Sequence, residues 1–172
     1  MNAIALLEEQ HAEAIALMDQ LKESKPGATR QRTMKKLDAA LVAHMAIEEE
    51  IFYPAMAGAS GEGEPIAEAF EEHVIARVAL KRCSDVIEEA DLFGVRVGVL
   101  KELIEHHVKE ERGDLFPAAQ KVLGRERLNQ LGVEMKDRFE AAKEKSPAKS
   151  LDRAEPKRAK AALAAEAAND EP

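Results

Sequence analysis

The chain has 172 residues, 45% of them apolar, with 3% aromatics, no Trp and one Tyr. That length suits one domain with a sizeable core, and the prevalence of Ala, Leu, Glu and Lys with few β-branched residues excludes an all-β sandwich or barrel. Acidic residues outnumber basic ones 33 to 25, a net charge of −8, so the chain lacks the electropositive balance that binding nucleic acid or an anionic membrane surface requires.

Hydrophobic periodicity predicts four long helices. The first runs from about Asn2 to Lys22 on the stripe Ile4, Leu7, Ala14, Met18 and Leu21, and Lys25-Pro26-Gly27 ends it. The second starts near Thr29, carries Met34, Leu37, Leu41, Met45 and Phe52, and is expected to stop around Pro54, before a loop from Gly58 to Pro65. The third starts near Pro65, a favoured first-turn residue, and carries Ile66, Phe70, Val74, Leu80 and Ile87. The fourth, with Asp91 as its expected N-cap, carries Val95, Val99 and Leu103 and ends near Gly124. The expected fold is therefore all-α, an up-down-up-down four-helix bundle over residues 1–124. A short fifth helix, 125–142, is expected to pack across one end. Residues 143–172 alternate Ala, Lys, Glu and Pro without an apolar stripe, and read as a mobile tail.

The single Cys83 excludes an internal disulfide and multi-thiolate metal sites, and fits a reducing compartment. No apolar run approaches the ~20 residues of a membrane span, and Met1–Gln10 lacks the pattern of a secretory leader. A cytoplasmic location with no membrane or nucleic-acid partner is the expectation.

Self-comparison reveals a repeat. His11 and His73 are 62 residues apart, as are His44 and His106, Glu48 and Glu110, and Glu49 and Glu111. A one-residue slip, placed after the acidic pairs, then aligns Phe52-Tyr53-Pro54-Ala55 with Leu115-Phe116-Pro117-Ala118. The chain reads as two copies of one helical hairpin, each with a His on its first helix and HxxxE on its second. The histidines continue the apolar stripes, and a step of four residues leaves two side chains only about 40° apart around the helix. His11, His44, Glu48, His73, His106 and Glu110 thus point to one interior. Unpaired buried carboxylates cost several kcal/mol, and two close together drive one pKa up. Bound cations remove both problems, and a thiolate-free His/carboxylate set for two metals suits Fe, Mn or Zn.

The remaining polar residues read less sharply. Glu49 and Glu111 sit about 100° round from the ligand face, at a solvated edge or behind the ligands. His107 has no repeat partner and reads as a surface or boundary residue. Tyr53 reaches the centre only if the helix bulges before Pro54, so core or a place behind the ligands is the simpler reading. Cys83 reads as a buried hydrophobe.

On these motifs, His11 with His44-Met45-Ala46-Ile47-Glu48-Glu49 and Tyr53-Pro54, then His73 with His106-His107-Val108-Lys109-Glu110-Glu111 and Phe116-Pro117, residues 1–123 resemble the hemerythrin-like (HHE cation-binding) family. The resemblance implies a non-haem centre of two Fe ions (Fe2+/Fe3+) with an oxo or hydroxo bridge. His11 and His44 would ligate one iron, His73 and His106 the other, and Glu48 and Glu110 would bridge them. The chain departs from the oxygen-carrying hemerythrins at Arg77, which stands where those have a further His, and in having Glu for the classical bridging Asp. Fewer ligands leave open positions, which favour reaction with O2, H2O2 or NO over reversible carriage. Peroxide decomposition is one such activity. Arg77 either assists by its charge, or snorkels to solvent or pairs with a Glu such as Glu72. The competing reading is an iron- or oxygen-sensing module that signals through a partner without turnover.

Overall fold

The computed structural model describes residues 1–60 and 63–143. The expected tail from 144 onward, and the middle of the loop after Gly58, lie outside the described residues. Among the described residues the regular structure is helical: α1 (Ala3–Lys22), α2 (Ala28–Ile47), a π turn (Glu48–Phe52), α3 (Tyr53–Ser60), α4 (Glu64–Ser84), α5 (Ala90–Glu110), a second π turn (Glu111–Leu115) and α6 (Phe116–Lys143). None of these helices is long and apolar enough to cross a membrane.

The helix starts follow local chemistry. The Asn2 side chain accepts a hydrogen bond from the Ala5 N–H at 2.9 Å and caps α1. Gly27, at φ 129°, supplies a left-handed conformation before α2. Pro65 occupies the first turn of α4 as expected. Glu89, not Asp91, is the N-cap position of α5. The two hairpin turns are tied together by Arg30. Its guanidinium donates to the Ile87 and Glu89 carbonyls at 3.0 Å and lies 4.3 Å over the Phe93 ring.

The second helix does not stop at Pro54. The chain stays helical to Ser60 by opening a π turn just before the proline. In a regular helix the Pro54 ring would meet the Glu50 carbonyl and leave it without a donor. The wider turn accommodates the ring, and the Tyr53 N–H bonds five residues back to Glu48 O. The second hairpin repeats the device: Phe116 N–H bonds to Glu111 O, immediately before Pro117. Such single-turn insertions aim side chains in directions a regular helix forbids.

Two apolar clusters fill the bundle. One contains Leu7, Ile47, Phe52, Tyr53, Phe70 and Phe116. The other contains Met18, Leu37, Leu41, Leu80, Leu100 and Ile104. The buried stripe of α5 is Phe93, Val97, Leu100, Ile104 and Val108; the expected Val95 and Val99 are more than half exposed on the outer face. α6 breaks at Gly124 (φ 68°, ψ 169°), so the fourth bundle helix ends where expected. The segment beyond it buries Leu128, Leu131, Met135 and Phe139. From Gly132 to Lys143 it lies beside Met1, Leu6, Glu9, Gln10 and Glu13 rather than across the bundle end. A Cβ on Gly132 would stand 2.5 Å from Met1 O, so only glycine permits that approach, and Arg138 pairs with Glu50 at 2.6 Å.

Candidate metal centre

A polar centre sits between the two apolar clusters. His11 on α1, His44 on α2, Glu48 in the first π turn, His73 on α4, His107 on α5 and Glu111 in the second π turn are all buried, none above 5% exposed. Four of these are the residues expected from sequence. The other two correct the second-half assignment. His106 and Glu110 do not enter the centre; their side chains are 59% and 38% exposed. His107, read as a surface or boundary residue, and Glu111, read as lying at a solvated edge or behind the ligands, take the inner places. The cause is a one-residue shift. The second hairpin has one more residue between its two histidines than the first, so His107 and Glu111 match His44 and Glu48 at an offset of 63. One residue turns a helix by about 100°, enough to exchange an inner for an outer position.

The imidazoles form two pairs. The Nε2 atoms of His11 and His44 are 2.9 Å apart, and those of His73 and His107 3.3 Å. The carboxylates stand between the pairs. Glu48 Oε2 lies 3.2 Å from His44 Nε2 and 3.3 Å from His73 Nε2. Glu111 Oε2 lies 3.3 Å from His11 Nε2 and 3.8 Å from His107 Nε2. Each carboxylate therefore touches one imidazole of each pair. Two ligand atoms about 2.1 Å from a shared metal at a right angle are about 3 Å apart, so these spacings fit ligands around two cations.

Hydrogen bonds behind the rings set which nitrogen faces inward. His44 Nδ1 is 2.8 Å from Gln10 Oε1, His73 Nδ1 is 2.9 Å from Glu49 Oε1, and His107 Nδ1 is 2.7 Å from Glu72 Oε2. Each Nδ1–H donates to its oxygen, which leaves the Nε2 lone pair directed at the centre. Glu49 is thus buried behind His73 rather than at a solvated edge. The same Oε1 also accepts from the Arg77 guanidinium, at 2.5 Å. Arg77 is buried rather than turned to solvent, and it pairs with Glu49 rather than Glu72. Tyr53 reaches the centre because the π turn turns it inward: its hydroxyl donates to Glu111 Oε1 at 3.0 Å. Phe116, its counterpart, stacks on His11 with centroids 6.2 Å apart and planes 12° from parallel.

Burial first, then the neighbouring imidazoles, pushes His11 down to about 3. Burial also takes His73 down to about 4, with His107 and Arg77 helping and Glu49 opposing. His44 falls well below its ordinary value for the same cause. These rings are neutral, the form that binds metal. Burial, reinforced by Glu111, raises Glu48 well above the usual carboxylate range, and burial raises Glu111 too. Burial alone would raise Glu49, but the hydrogen bond and charge of His73, with Arg77, outweigh it and hold Glu49 low. Both oxygens of Glu48, Oε2 of Glu111 and Nδ1 of His11 have no hydrogen-bond partner. Buried carboxylate oxygens in that condition are costly. A cation between each imidazole pair would satisfy them, so the donor set fits metal.

Comparison with known proteins agrees. A family model described as Hemerythrin HHE cation binding domain matches residues 2–119. A crystal structure of a hemerythrin HHE cation binding domain-containing protein from Mycobacterium kansasii superposes with a TM-score of 0.75 at 25% identity, covering 96% of this chain and 99% of that one. A protein of Nostoc sp. (strain PCC 7120) named DNA nickase is 28% identical over 145 residues, 84% of this chain. The chain spans 40% of that relative's length. The matched segment takes in both π turns and all six converging side chains, and with them the chain belongs to the hemerythrin HHE cation-binding domain family.

Proposed function

We propose that the centre holds two iron ions, one between His11 and His44 and one between His73 and His107, with Glu48 and Glu111 bridging them, and that the loaded centre reacts with O2, H2O2 or NO. The observation that carries this reading is the placement of each carboxylate between the two imidazole pairs. The donor set is nitrogen and carboxylate oxygen without thiolate, which suits iron among the transition metals. Two imidazoles and two carboxylate oxygens supply four donors to each ion, so positions remain for a small ligand. Bound iron would supply one-electron redox chemistry at those positions.

The chain's own residues have separate tasks. Gln10, Glu49 and Glu72 hold three rings by their Nδ1–H groups and fix the direction of Nε2. Tyr53 holds one oxygen of Glu111, which leaves Oε2 for metal. Phe116 covers His11, and Phe52 and Phe70 pack behind Phe116 and Tyr53, an apolar layer that limits water. Arg77 offsets the charge of Glu49, so the carboxylate behind His73 stays ionised in a buried place.

The test is metal analysis and an optical spectrum of aerobically purified full-length protein, repeated with H2O2 and with NO. About two irons per chain, a charge-transfer band that changes with either ligand, and loss of both in Glu48→Ala support the reading. Iron well below one per chain after anaerobic reconstitution, or a spectrum unmoved by either ligand, contradicts it.

A further inference from the structure

The displaced pair, His106 and Glu110, is not idle surface. We propose that Glu72, His106 and Glu110 form an outer site for a divalent cation, through which metal enters the buried centre; the entry role rests on the metal reading above. His106 Nε2 is 3.1 Å from Glu110 Oε1 and 3.7 Å from Glu72 Oε1. The three ligand atoms come from two helices and lie within 4.8 Å of one another. Those spacings match donors about 2.1 Å from one shared cation. The i, i+4 step of His106 and Glu110 puts both on one exposed face of α5.

Glu72 joins this trio to the centre. Its Oε1 faces His106, while its Oε2 accepts from Nδ1 of the buried His107. A cavity of about 120 Å³ adjoins the trio and shares Glu72 and Glu110 with it; Glu68, Asp114 and His107 also line it. A single water needs only about 10–15 Å³ of such space, so a partly hydrated cation fits. Four carboxylates, and no Lys or Arg among the described lining residues, concentrate cations at the mouth. The sequence places a ligating pair at both His106/Glu110 and His107/Glu111; the fold uses one register inside and leaves the other outside, one residue apart.

The experiment follows Co2+ and anaerobic Fe2+ binding to the metal-free full chain by equilibrium dialysis and stopped-flow absorbance. The variants are His106→Ala, Glu110→Gln and, as a charge control on another part of α5, Glu102→Gln. The proposal expects a third, weaker cation in wild type that both outer-site variants lose. It also expects the two inner cations to load about tenfold more slowly in those variants, with unchanged final occupancy, and Glu102→Gln to behave as wild type. Two cations at saturation in wild type overturn the outer site. A lost third cation with unaltered loading rate overturns its role as an entry. Failure of the inner pair to load in any protein, with the weak outer cation still bound, tells instead against the reading of the centre.

Discussion

The two hairpins bring the same number of imidazoles to the centre but support them differently. In the first, His44 is backed by a neutral amide, Gln10, and His11 Nδ1 has no hydrogen-bond partner. In the second pair, both rings are backed by carboxylates, His107 by Glu72 and His73 by Glu49. The repeat explains the contrast residue by residue. Gln10 and Glu72 are counterparts, each just before its helix's histidine. Glu49 has Arg112 as its counterpart, which cannot accept a hydrogen bond and pairs outward with Glu8. A carboxylate behind a ligating imidazole raises its basicity. Duplication therefore preserved the ligands while the residues behind them diverged, and the His73/His107 position is expected to hold its cation more tightly.

The sharpest way to break this picture is at adjacent residues of α5. His107→Ala should reduce tightly bound cations from two to one or fewer, while His106→Ala retains two tight ones. Metal analysis after dialysis against a chelator, with circular dichroism to verify folding, reads both. Equal losses in the two variants would remove the register on which the centre depends.

An intermediate effect is expected behind the rings. Glu72→Gln should weaken the second-pair cation by about 10- to 100-fold, and Gln10→Glu should strengthen the first, so that the two affinities approach each other. Competition with a chromophoric chelator measures both; two equal affinities in wild type would erase the contrast. The smallest effect is expected from Tyr53→Phe, which makes the two halves alike at that position. Loss of one hydrogen bond to a carboxylate is worth about 1.5 kcal/mol or somewhat more, a weakening of about tenfold, with the optical band shifted rather than lost.

Much of this is legible in the sequence, and what is not has physical causes. His11, His44, Glu48 and His73 continue clear apolar stripes, so periodicity assigned them to the interior. α5 was ambiguous because it carries apolar residues on two faces. Val95, Val99 and Leu103 lead to His106, while Val97, Leu100 and Ile104 lead to His107, and both runs have helical spacing. A deciding cue lay in the sequence: the 63-residue offset that pairs Tyr53-Pro54 with Phe116-Pro117 also pairs His44 with His107, Leu37 with Leu100 and Leu41 with Ile104. Extending that offset back through the helix, instead of confining it to the Pro motif, recovers the inner register. The π turns had a weaker signal, a proline where the pattern otherwise continues helical. Spacing leaves Glu49 at an edge or behind the ligands and gives no place to Glu72 or Gln10, because an oxygen behind a ring is defined by contact between helices, not by spacing within one.

The most direct test of the centre is anomalous X-ray diffraction from crystals of the iron-loaded protein. Two strong peaks are predicted, one about 2.0–2.2 Å from Nε2 of both His11 and His44, the other at that distance from Nε2 of both His73 and His107, with Glu48 and Glu111 reaching both. A single peak in the interior, or iron bound only beside His106 and Glu110, would contradict it.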